Sequence, residues 1–305
     1  MSTHPLALLA RPPARVAETL DAHLALHQEL LSSLESSVAR ALVAGHAADR
    51  LGHAFASGYL EALGELAPRV RGACASLAVT EKGGGHPRAI ETRAEAHADG
   101  YVLHGEKAFV TLVDLSELAL VVAKEGERSD GTPVLGVFEV PLSREGVRVE
   151  LLPETPFAPE MRHGKMILQG VRLSRNARLP GDGYREYVKR FRTVEDLHVL
   201  AAATGHRLAL TSRFDLGEGD LRAGLGIAAA VLGLAGAHPD HPATHLALDR
   251  LYEEARRHAT LDEAALQRLE PEVRARYVRD LPLFQVAEGP RRKRAERAAA
   301  ALTGR

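Results

Sequence analysis

Tryptophan is absent from the 305 residues, and cysteine occurs once, at Cys74. A single thiol can form neither an internal disulfide nor a cysteine-based zinc site, and a reducing compartment is the simpler reading. Long hydrophobic runs are also missing. The richest window, Leu225 to Ala237, is short and broken by glycines, well below the roughly eighteen residues a spanning helix needs. No excess charge of either sign exists. Lys plus Arg is 39 and Asp plus Glu is 40, giving a net charge of −1, so nothing draws the whole chain onto nucleic acid or an anionic membrane. The first ten residues carry no basic stretch, and their apolar run is too short for a signal peptide. A cytoplasmic protein without membrane insertion or a nucleic-acid partner is expected. What is present is ordinary for a globular chain: 45% hydrophobic and 26% charged residues. Arginine, at 33, far exceeds lysine, at 6. With Ala and Leu so frequent, that bias reads as coding preference.

The texture changes twice along the chain. Up to about Val70 it is rich in Ala, Leu and His at helical spacing. Leu20, Leu24, Leu26, Leu30 and Leu31 form one stripe, and Leu42, Val43 and His46 lie on a later helix. Gly45, Gly52, Gly58 and Gly64 suit close packing or helix ends. From Ala73 to about Pro180 the pattern is β. Alternating stretches flank Ala98-Asp99-Gly100, a hairpin signal in which Asp-Gly is expected to supply the positive φ of the turn. Further strands are predicted over 118–123, 134–140, 147–152 and 165–173. Such a set of short strands suggests a barrel or sandwich. From Gly183 onward helices return. The first runs from Tyr184 to Phe214, and a second from Leu221 stops at His238-Pro239. Pro242 fits the first turn of a third. Thr260-Leu-Asp-Glu263 has the form of a capping box opening a fourth. A last one lies between Asp280 and Leu302, delayed or interrupted by Pro282 and Pro290.

Several features have a structural and a functional reading. Gly83-Gly84-Gly85 lacks the Gly-Lys-Ser/Thr of a P-loop and reads as a tight turn. His241 and His245 stand at zinc-like spacing, but no Glu follows His241, and Pro242 makes His241 a helix cap; no metal is expected. Arg291-Arg-Lys-Arg294 is either the solvated face of a helix or a contact for a phosphate. Cys74 is read as a buried structural thiol.

The order Val79-Thr80-Glu81-Lys82-Gly83-Gly84-Gly85, then Thr92, then Asp99-Gly100-Tyr101-Val102-Leu103-His104-Gly105-Glu106-Lys107-Ala108-Phe109-Val110-Thr111 resembles the acyl-CoA dehydrogenase family. That family's middle domain carries a Thr-Glu-x-x-x-Gly stretch, a Thr and an Asp-Gly-Tyr-x-Leu-x-Gly-x-Lys hairpin ending in aromatic-Ile-Thr. The likeness extends with gaps from about Ser37 to the C terminus. It implies an α+β, multidomain fold: N-terminal helices (residues 1–72), a middle antiparallel β-barrel-like domain (73–182) and a C-terminal helical bundle (183–305). It further implies a homodimer or homotetramer that binds FAD and dehydrogenates an acyl-CoA or acyl-carrier thioester at its α,β carbons, passing electrons on to an acceptor whose identity is open.

Carried over by residue, the resemblance makes Thr80 and Thr111 flavin partners and sets Phe109 where the family often has tryptophan against the ring. Arg213 takes the place of an arginine that reaches the FAD pyrophosphate. Glu288, in Ala287-Glu288-Gly289, takes the place of the catalytic glutamate. Without the resemblance, Thr80 and Thr111 are ordinary strand residues, and Glu288 is a surface carboxylate paired with a nearby Arg. The modest polarity around Glu288 points instead to a partly buried side chain. Asp280 is expected to be a structural partner of an Arg. The sequence departs from the family pattern at His86-Pro87, where the family has Ser-Asp, and at Pro290, where it has Thr. Those departures keep a second expectation open, a family-derived scaffold or binding protein without FAD turnover.

Overall fold

The helix–β–helix order expected from the sequence is the observed order. The computed structural model describes residues 4–30 and 33–304; Leu31, one member of the predicted leucine stripe, lies outside them. Two compact units result. One combines the chain up to Glu65 with Pro156–Glu160 and everything from Thr193 on; the other holds Leu66–Thr155 and Met161–Arg192.

The second unit is a curled seven-stranded sheet. Its strands are β1 (Ala75–Ala78), β2 (Arg93–His97), β3 (Gly100–Thr111), β4 (Leu118–Glu127), β5 (Pro133–Pro141), β6 (Val147–Leu151) and β7 (His163–Ser174). They run in the order β1-β4-β2-β3-β7-β6, with β5 paired to β4. Pairing is antiparallel except where β1 and β2 run parallel to β4. Inward residues Leu103, Val110, Val121, Phe138, Met166 and Leu168 fill one core, as the period-two alternation requires. The Asp99-Gly100 hairpin forms, with His97 paired to Gly100. Gly100 has the positive φ expected of the Asp-Gly pair, 157°, and a Cβ on it would also lie 1.9 Å from the Leu173 carbonyl oxygen. The positive φ and the close approach to β7 both call for glycine here.

The helical unit contains α1 (Pro5–Leu9), α2 (Leu20–Leu30), α3 (Ser37–His46) and α4 (Leu51–Leu66) from the front of the chain. The rest supplies α5 (Lys189–Arg213), α6 (Glu218–Gly233), α7 (Pro242–Ala259), α8 (Glu263–Arg268), α9 (Pro271–Asp280) and α10 (Glu288–Thr303). All ten residues of α3 are buried. A Cβ at Gly45 would lie 2.0 Å from the Ala202 carbonyl oxygen, and one at Gly205 would lie 1.9 Å from that of Leu42. Glycines on both helices therefore let the α3 and α5 backbones touch. The predicted leucine stripe of α2 is not its buried face; His23 and His27 are the buried residues. They are tolerated because partners exist: His23 Nε2 is 2.8 Å from Ser57 Oγ, and His27 Nε2 is 2.8 Å from Glu61 Oε1, which Arg40 also holds. The fourth C-terminal helix is capped by Asp262, which accepts from the Ala265 N–H at 2.8 Å, and not by Thr260. No described helix is long and apolar enough to cross a membrane.

Candidate functional site

In the β unit the motif residues hold one another. Lys107, on β3, is fully buried, and its ammonium donates to Glu81 Oε1 at 2.6 Å and to the Val122 carbonyl at 2.6 Å. Glu81 also accepts from the backbone N–H groups of Glu91 at 2.7 Å and Thr92 at 3.1 Å. Burial lowers the Lys107 ammonium to about 8, against the pull of Glu81. Burial works to raise the Glu81 carboxyl, but Lys107 and the N–H donors hold it below the usual range. The pair thus stays charged at neutral pH and ties the segment 79–81 to β3. As a result the Thr80 carbonyl accepts from the Ala108 N–H at 2.7 Å.

A β-bulge sets the direction of Phe109. Lys107 pairs with Met166 and Val110 with Gly164, so two residues of β3 oppose Lys165 alone. Val110 then points inward and is buried, while Phe109 is 47% exposed and Thr111 half-buried. The phenyl ring of Phe109 stacks on His163, with centroids 4.1 Å apart and planes 26° apart. His163 is the cross-strand partner of Thr111. Strand β3 ends abruptly after that threonine. Leu112 is fully buried with φ 56°, a left-handed conformation costly for a branched side chain. Its N–H donates to the Arg162 carbonyl at 2.8 Å. Two buried serines grip the corner: Ser76 Oγ donates to the Thr111 carbonyl at 2.6 Å and Ser116 Oγ to that of Leu112 at 2.8 Å. Thr80, Phe109 and Thr111 are thereby carried on one braced segment of the sheet.

The residues expected on the helical unit stand differently. Glu288 opens α10 after Ala287, whose φ of 58° is left-handed. It is exposed, and its Oε1 accepts from Arg256 Nη1 at 3.0 Å. The partial burial expected from its neighbours is not found within this chain, and the surface ion pair is. Arg213 ends α5 half-buried, with its carbon 5.2 Å above the Phe214 ring. Its Nη1 is buried and has no hydrogen-bond partner among the described residues. Asp280 is fully buried and pairs with Arg279 at 2.7 Å, as expected. It also accepts the Ala158 N–H at 2.7 Å, which fastens residues 156–160 to α9. Two members of the basic cluster are committed as well: Arg291 and Arg294 both pair with Asp196, and Arg291 lies 3.4 Å over the Tyr252 ring. His241 caps α7, accepting the Ala243 N–H at 3.2 Å. Cys74 is half-buried.

Sequence reasoning assigned no role to the Glu81–Lys107 pair, although both residues lie in the motif. It missed His163 altogether, because only strand register brings that residue beside Phe109 and Thr111.

A curled middle sheet carrying this braced segment, with helices before and after it, defines the acyl-CoA dehydrogenase-like fold. Residues 76–171 match the family model of the acyl-CoA dehydrogenase middle domain, so the resemblance read from the sequence holds. No curated protein sequence matches the chain. Among solved structures, the chain is similar to FkbI, for biosynthesis of the methoxymalonyl extender unit of Fk520 (19% identity, 96% of this chain and 94% of that one, TM-score 0.73). It is also similar to butyryl-CoA dehydrogenase from Megasphaera elsdenii (17% identity, 87% and 82%, TM-score 0.68). A third is the prolyl acyl carrier protein oxidase AnaB (16% identity, 85% and 82%, TM-score 0.65). At these identities the likeness speaks for the fold.

Proposed function

We propose that the chain is an FAD-dependent oxidoreductase acting on the CH–CH group of an acyl-CoA or acyl-carrier thioester. The observation that carries this reading is the braced face of the β unit, where an exposed aromatic ring lies two residues before a half-buried threonine. The residues present fit FAD. Phe109 offers an apolar surface for a flat ring. The half-buried hydroxyls of Thr80 and Thr111 each offer a hydrogen bond. The orphaned, buried Nη1 of Arg213 suits an anionic diphosphate. FAD, when bound, supplies a two-electron hydride acceptor.

For the protein's own part, Glu288 is the proposed base that takes the α-proton of the thioester. In this structure it is exposed and paired with Arg256 at 3.0 Å. Burial under substrate, with loss of the Arg256 contact, would raise its affinity for a proton toward the working range. Thr80 and Thr111 orient the ring edge, and Phe109 excludes water from its face. The reduced cofactor needs an electron acceptor of unknown identity. A cytoplasmic homodimer or homotetramer is part of the same reading.

The Arg256 pair and the exposure of Glu288 favour a second reading, a family-derived scaffold or binding protein without FAD turnover. The separating experiment uses Glu288→Gln, which keeps the shape and removes the basicity. On the first reading the purified protein binds FAD, and an acyl thioester bleaches the flavin of the parent while the variant, still holding FAD, stays yellow. Bleaching of the variant at the parent's rate removes Glu288 as the base. Failure of the parent to bind FAD at saturation supports the scaffold.

A further inference from the structure

His163 begins β7 and is half-buried. Its imidazole covers one face of Phe109 at 4.1 Å, yet Phe109 remains 47% exposed. The phenyl ring is therefore backed on one side and open elsewhere. Such a backing ring does two things. It holds an otherwise mobile exposed side chain in one rotamer, and it supplies a second polarizable layer behind any flat ligand that docks on the first. Burial alone lowers the basicity of the imidazole below the ordinary histidine value. The charged groups at the adjoining register positions are otherwise engaged: Lys165 with Glu106 at 3.8 Å, and Arg162 with Asp114 at 3.4 Å; Glu150, opposite Lys165 on β6, pairs with Arg148 at 3.2 Å.

Resting on the FAD reading above, we propose that His163 is a positioning residue for the flavin. Acting through Phe109, its neutral imidazole presets the ring wall on which the isoalloxazine docks. Docking covers Phe109 and withdraws the imidazole further from water, so binding favours the uncharged form. FAD affinity then falls as the pH drops through the titration of His163.

The test uses the full chain and FAD itself as probe, followed by flavin fluorescence, which no tryptophan overlaps in this protein. His163→Ala and His163→Gln should each weaken FAD binding about tenfold, the size expected when an exposed ring loses its support. His163→Phe should restore binding to within about twofold of the parent. The parent's affinity should decline in acid, below the ordinary histidine range because burial lowers the imidazole, whereas that of His163→Phe stays flat. Melting temperatures of the variants separate lost docking from lost folding. In the FAD-free protein, the His163 ring protons should show an upfield shift and an acid-displaced titration by NMR, both abolished by Phe109→Leu. Parent-like binding by His163→Ala and His163→Gln, or an identical pH profile in His163→Phe, overturns the role of His163 while leaving the FAD reading intact. Absence of FAD binding by the parent overturns both.

Discussion

The β unit and the helical unit each seal an ion pair from water, Glu81 with Lys107 in one and Arg40 with Glu61 in the other, but the helical unit also encloses a set of histidines. In the β unit, one ion pair, Glu81 with Lys107, is sealed from water and fixes the segment beneath Thr80 and Phe109. In the helical unit, the most enclosed titratable side chains include uncharged histidines. Burial pushes His23 down to about 3 and His46, His53 and His206 to about 4. His23 and His53 stack at 5.5 Å, and each has an Nδ1 without a partner among the described residues. The candidate base, meanwhile, sits in a surface pair. The contrast teaches that a motif is most informative where its members hold one another. The β-unit motif is such a set, whereas Glu288 rests on a local echo of three residues.

Acid should break the comparison most sharply. A histidine kept neutral in the folded state binds its proton only on unfolding. Its contribution is complete above pH 6.5 and is lost as the pH falls from 6.5 toward the folded value of about 4. Each such residue adds a slope of up to about 1.4 kcal/mol per pH unit. Together the four are enough to unfold the helical unit before pH 4, given total stabilities of about 5–15 kcal/mol. Urea titrations at pH 7, 6 and 5, followed by circular dichroism, should show helical signal lost at progressively lower urea while the β signal lags. Coincident loss of both signals at every pH would show that the two units unfold together.

Removing one side of the sealed pair comes next. Lys107→Met leaves Glu81 buried and uncompensated and should destabilise the protein by about 3–5 kcal/mol. Adding Glu81→Gln should recover part of that loss. A singly substituted protein with an unchanged melting temperature would mean that the pair does not brace the sheet.

The smallest effect is expected at Arg256. Its pair with Glu288 is exposed on both sides, so Arg256→Ala should alter stability by less than about 1 kcal/mol. A larger drop by denaturant titration would show that the start of α10 depends on this contact, which would weigh against Glu288 being free to take up a proton.

Much of the β unit was legible in advance. Strands predicted over 118–123, 134–140, 147–152 and 165–173 correspond to β4, β5, β6 and β7, with ends displaced by at most a few residues. Alternation survives in a sheet with one packed face, so the sequence records it. The helical unit was legible in its order but not in its faces. Helix α3 is buried all round, which erases amphipathic contrast. Helix α2 buries histidines, whose pairing with Ser57 and Glu61 involves residues 34 positions away. Within the candidate site, Thr80, Phe109 and Thr111 were read from the motif, while His163 was not.

Local chemistry by itself determined the element order, the hairpin after His97, the proline start of α7 and the delayed start of α10. These follow from steric and hydrogen-bond rules that act within a few residues. Only the tertiary structure decided that Gly100 is required by Leu173, that a bulge turns Phe109 outward, and that Glu288 meets Arg256. It alone decided also that His163 stands behind Phe109. Each of those facts depends on which distant backbone arrives at a given register, a matter of packing many segments at once that no short window of sequence contains.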